Sequence, residues 1–89
     1  MIGELRDTGR RFEMDELGLT SWADYRLAGE ILYIDHVETP VALRGAGAAG
    51  RLMAALSAEA RRRSLRIVPV CSYAAAWLDR SDEFRDLVA

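Results

Sequence analysis

Residues 42–53 read ALRGAGAAGRLM, and the role of this stretch decides the fold of everything around it. Gly45, Gly47 and Gly50 fit the spacing G-x-G-x-x-G that opens many nucleotide-binding helices. A dinucleotide fingerprint, however, is the immediate turn out of a first strand, with an acidic residue about 20 positions on to bind a ribose. Here residues 38–44 separate the nearest strand-like run from Gly45, and the next strand-like run ends in Val70 and Cys71 with no acid. No lysine follows the glycines, which also excludes a Walker phosphate loop. The physics of the stretch survives both exclusions. A helix starting near Gly45 to Ala48 has unpaired first N–H groups, and glycine and alanine leave them open to close approach by a phosphate. The dipole adds about 0.3–1 kcal/mol for an anion, and Arg44 can add charge-assisted hydrogen bonds of about 1.5–3 kcal/mol each. The competing reading is that small residues merely let this helix pack tightly on a sheet.

Working outward, Leu52, Met53, Leu56 and Ala60 recur at helical spacing and predict a helix over about 46–63, roughly 27 Å long. Its end carries Arg61, Arg62 and Arg63 in the last turn, where cations meet the negative end of the dipole, so a solvated helix terminus is expected. LRIVPV (65–70) predicts a short buried strand and YAAAWLDR (73–80) a second helix. Toward the N-terminus, RFEMDEL (11–17) alternates polar and apolar residues, Gly18 supplies a turn, and LTSWADYRL (19–27) and ILYIDHV (31–37) favour strand, with a second turn at 28–30. The order β-β-β-α-β-α defines an α/β (α+β) domain: an antiparallel meander followed by a parallel crossover and a second helix. In that arrangement the strands 31–37 and 65–70 end on one edge, which also receives the long helix's N-terminus and Cys71. Trp22, Tyr25, Tyr33 and Trp77 are assigned to the core.

At 89 residues the chain makes one domain over 1–89, too small for two lobes and a cleft. A hydrophobic share of 51% with 29% charged residues is ordinary for a globular protein, and no apolar run is long enough to span a membrane. The first residues lack the apolar core of a secretory signal, and a lone cysteine cannot form an internal disulfide; both point to a cytoplasmic address. Net charge is −2, which argues against a general nucleic-acid binder, with the triple arginine the one local exception.

LRGAGAAGRLM resembles the R/Q-x-x-G-x-G/A signature of the GNAT acetyltransferase superfamily, with Arg44, Gly47 and Ala49 in its defining places. RFEM, DYRL, IDHVETPVALRGAG, RIVPVCSYAAAWL and DEFRDLV narrow the resemblance to the minimal, single-domain branch of that superfamily. Ala46 departs from it, standing where a basic residue is common, as do Val41, Ser81 and Asp82. The resemblance implies acetyl-coenzyme A as cofactor, with its pyrophosphate held by Leu43, Arg44, Gly45, Ala46, Gly47, Ala48, Ala49 and Gly50 and its pantetheine arm beside Val37. It implies Cys71 as a candidate nucleophile, favoured as thiolate by the helix that follows. His36 is a candidate base for the amine or for Cys71, Glu38 a group that takes or relays the proton, and Tyr73 an acid for the departing thiolate. Each has a plainer reading, respectively a buried hydrophobe, a strand residue, a solvated carboxylate and a core aromatic. The implied activity is N-acetyl transfer to an amine, a small molecule or a protein; the alternative is a CoA-binding module without catalysis. No metal, nucleic acid or membrane is expected as a partner, and the oligomeric state is expected to be monomer or weak homodimer.

Overall fold

The computed structural model describes residues 3–89, and in it the alternation read along the first half becomes a sheet with one covered and one open face. β1 (Arg6–Asp7), β2 (Arg11–Glu16), β3 (Leu19–Ala28) and β4 (Ile31–Glu38) pair antiparallel in sequence order, and β5 (Arg66–Pro69) joins β4 in parallel. α1 (Ala48–Arg62) bridges β4 and β5, and α2 (Ser72–Asp79) follows β5. The β-β-β-α-β-α order is therefore present, preceded by the short β1, which the sequence pattern did not reveal. Two residues between β2 and β3, Leu17 at φ 52° and Gly18 at φ 76°, make the doubly positive turn whose twist matches that of the flanking strands.

Both helices lie on one face. Phe12 and Met14 of β2, Leu32 and Ile34 of β4 and Ile67 of β5 bury against Leu52, Met53, Leu56 and Ala60, the four residues of the helical stripe. Ala74 and Leu78 of α2 complete the layer with Phe84 and Leu87 from the C-terminal segment. The tail also protects the sheet edge: Ala89 donates to the Ile67 carbonyl at 2.8 Å and Arg66 Nη2 to the Val88 carbonyl at 2.7 Å.

One expectation changes. Trp22 and Tyr33 do not enter the core; the two-residue period puts them on the open face, opposite Ala23 and Leu32, where Arg11 and Arg26 each cover one ring at 4.8 Å. Tyr25 is buried, and Trp77 is half-buried against the core. The triple arginine is exposed, as expected of a solvated helix terminus, and it is ion-paired as well. Arg61 reaches Asp86 at 2.7 Å, Arg62 and Arg63 share Glu59, and Arg63 extends to Asp7 at 2.9 Å, tying α1 to β1 and to the tail.

One irregularity positions the site. Asp24 faces His36 and Tyr25 faces Ile34, so Asp35 is an extra residue in β4, a bulge that adds local twist. The parallel pairing of β4 with β5 ends there, at Ile34 and Pro69, and the amides of Val70 and Cys71 both converge on the Ile34 carbonyl at 2.9 and 3.0 Å. β4 runs on to Glu38 while the chain after Cys71 turns into α2, so the two strands part.

Candidate functional site

The parting edge is closed by the segment from Thr39 to Gly50. Pro40 starts a single 3₁₀ turn at Val41–Leu43, whose Leu43 is buried as an anchor while its amide donates to the Pro40 carbonyl at 2.8 Å. Ala46 then donates to the Leu43 carbonyl at 3.2 Å. Gly45 and Gly47 adopt φ of 80° and 84°, the left-handed region where a side chain costs about 1–2 kcal/mol. Gly47 is the N-cap of α1 and offers no side chain to the first turn.

This geometry leaves donors without acceptors. Among the described residues, the amides of Gly45, Gly47, Ala48, Ala49 and Gly50 meet no protein oxygen. All five residues line one pocket of about 310 Å³, with Thr39, Leu43, Arg44 and Tyr73. Thr39 is 8% exposed, and its hydroxyl is buried without a hydrogen-bond partner, as are those of Ser21 and Ser57, at a cost of about 1–3 kcal/mol. Five unpaired N–H groups and a guanidinium on the residues lining one cavity suit an anion with several oxygens, such as the diphosphate of coenzyme A.

Gly50 differs from the two glycines before it: a Cβ there would stand 3.4 Å from Trp77 Nε1 and 3.8 Å from the Tyr73 hydroxyl, ordinary contact distances, so the packing of α2 on α1 does not require a glycine at this place.

Arg44 is held toward the sheet. Its Nη2 donates to Glu38 Oε1 at 3.1 Å and its Nε to the Thr39 carbonyl at 3.3 Å. The other oxygen of Glu38 lies 3.1 Å from His36 Nε2. The Glu38 carboxyl is held below its usual range, first by the His36 contact, then by the Thr39 amide and Arg44. His36 and Glu38 project from the open face of the sheet, whereas Val37 between them packs on the core.

Cys71 is the N-cap of α2, half-buried and packed on the helix side of the sheet. His36 faces the other side and has Glu38 as its partner, so the structure does not join the imidazole to the thiol. Tyr73, two residues on, enters the pocket, and burial foremost holds its hydroxyl above the usual phenol range.

The sequence-based set is therefore largely brought together at one edge. Leu43, Arg44, Gly45, Gly47, Ala48, Ala49, Gly50 and Tyr73 share the pocket. Val37 and Ala46 do not line it: Val37 turns to the core, and both backbone polar groups of Ala46 are already paired, the carbonyl with Arg51 at 2.7 Å. Thr39 was missed, although a hydroxyl residue just before Pro40 and the loop was a visible signal. Glu16 and Arg51 were also missed, because their pairing across 35 positions has no local trace. Among the described residues no cluster of His, Cys, Asp and Glu is arranged to hold a metal, and no helix is long and apolar enough to cross a membrane.

Comparison with known proteins bears on this edge. Residues 11–87 match the sequence profile of the GCN5-related N-acetyl-transferase family. The fold superposes on the NMR solution structure of a GCN5-like protein from Staphylococcus aureus with a TM-score of 0.70 and 25% identity, covering 97% of this chain and 87% of that one. No curated protein matches the chain in sequence.

Proposed function

The chain belongs to the GCN5-related N-acetyltransferase family, and from that premise we propose that it moves an acetyl group from acetyl-CoA to an amine. The observation that carries this reading is the pocket lined by residues with unpaired amides at the start of α1. Acetyl-CoA supplies an acetyl thioester to such a site. The amides of Gly45 and Gly47 to Gly50, with Arg44, bind its diphosphate, and Glu38 gives up its hold on Arg44 to the incoming oxygens. The edge of β4 beyond Ile34, free of β5, offers backbone groups to the amides of the pantetheine arm. Tyr73, a phenol that is protonated at neutral pH in any case and that burial shifts further up, donates a proton to the departing thiolate. His36 and Glu38 face the open side of the sheet, so an amine arriving on that face meets a base there. The separation of His36 from Cys71 supports direct transfer over an acetyl-cysteine route.

The test is to incubate the protein with acetyl-CoA, with and without an amine panel, and to follow acetylated product and free CoA by mass spectrometry. Amine-dependent CoA release is expected, and Cys71→Ser is expected to retain it. Binding of CoA without turnover would favour a non-catalytic CoA-binding module. Absence of binding at high CoA concentration overturns the reading.

A further inference from the structure

The buried carboxylate of Glu16 has no part in the chemistry described so far. It ends β2 with 7% of its surface exposed, and its two oxygens receive Arg51 Nε at 3.1 Å each while Oε1 also receives Nη2 at 2.8 Å. The same Nη2 donates to the carbonyl of Ala46 at 2.7 Å. Its neighbour Nη1 lies so close under Gly47 that a Cβ there would sit 2.8 Å away. A carboxylate from the hairpin thus fixes a guanidinium, and the guanidinium fixes one peptide group between the two left-handed glycines.

That peptide is the one whose N–H belongs to Gly47. A trans peptide is planar, with C=O and N–H on opposite sides, so a carbonyl drawn to Arg51 sends the Gly47 N–H the other way. Gly47 lines the pocket and its amide has no protein acceptor. Without the tether, two adjacent glycine-flanked peptides would be free to rotate, and the amide would have to be ordered at the moment of binding, which weakens affinity.

We infer that Glu16 and Arg51 are positioning residues that aim the Gly47 amide at an oxyanion in the pocket, without themselves touching the ligand. The inference rests on the acetyl-CoA reading for the identity of that oxyanion, a diphosphate. Arg51→Ala alone would strand a buried charge and could unfold the protein, so two milder variants are used. Glu16→Gln keeps shape and removes the charge; Glu16→Leu combined with Arg51→Met replaces the pair by apolar groups, which is usually neutral or stabilising.

Calorimetry with CoA, and with pantetheine as a ligand lacking the diphosphate, is read beside the melting temperature. Both variants are expected to melt near the unmodified chain, to bind CoA about tenfold more weakly, the scale of one hydrogen bond to a charged group, and to bind pantetheine unchanged. Unaltered CoA affinity in both variants overturns the inference. So does tighter CoA binding by Glu16→Gln, which would mean that Arg51, once released, binds phosphate itself. Equal weakening toward pantetheine overturns it too, since that is a general loss of structure. An NMR titration with inorganic pyrophosphate separates the two ideas. If the unmodified chain ignores CoA, the acetyl-CoA reading falls; the positioning role then stands or falls on whether the Gly47 amide shifts with pyrophosphate in the unmodified chain and not in the double variant.

Discussion

Thr39 and Tyr73 make the site's chemistry testable one atom at a time. The Thr39 hydroxyl is desolvated without a partner, so Thr39→Val removes a cost from the free protein. The melting temperature is expected to stay level or rise, as calorimetric scanning would show. Tyr73→Phe keeps the ring that lines the pocket and removes its proton. Steady-state kinetics should show kcat falling by roughly 100-fold or more, with KM for acetyl-CoA little changed.

At the scale of elements, the loop and the end of α1 answer to different physics. Gly45 and Gly47 share a left-handed backbone, but a Cβ on Gly45 meets nothing within 4 Å while one on Gly47 runs into Arg51. Gly45→Ala should therefore lose about 1–2 kcal/mol in denaturant unfolding, the strain alone, and Gly47→Ala more than that, together with CoA binding. The far end of α1 is held by charge. Glu59 carries Arg62 and Arg63, and the Arg62 hydrogen bond, first, then that of Arg63, lowers its carboxyl to about 2 from 4.5. A depressed carboxylate contributes stability that is complete above its unfolded value and is lost as pH falls toward its folded one. Melting temperature should thus drop between about pH 4.5 and pH 2, and Glu59→Gln should flatten that part of the profile.

Across the whole molecule, a single layer of helices on one sheet face leaves little reserve. Leu52 and Leu56 are fully buried at the contact between α1 and the sheet. Truncating either to alanine costs about 2–5 kcal/mol, against a total of about 5–15 kcal/mol for a domain. Leu56→Ala is expected to lower the melting temperature by many degrees, about 4–8 °C per kcal/mol at this size, as calorimetric scanning would show. The other face carries His36, Glu38 and Trp22, and among the described residues neither helix packs over it.

Local pattern alone determined the elements that bury a face. The period of two along 11–16 and 31–34 and the stripe of Leu52, Met53, Leu56 and Ala60 each state their role through spacing, because a buried face repeats with the backbone. Arg44, Gly45 and Gly47 were singled out on other grounds, as neighbours in one loop ahead of a helix. Tertiary structure decided what depends on distant residues meeting. Only the fold leaves the Thr39 hydroxyl buried and unpartnered, sends His36 to the face opposite Cys71 through one extra residue at Asp35, and brings Glu16 under Arg51. Spacing along a chain encodes which side of an element a residue takes. It does not encode which of the other sides will be waiting there, and the pairing of buried polar groups is a property of that meeting.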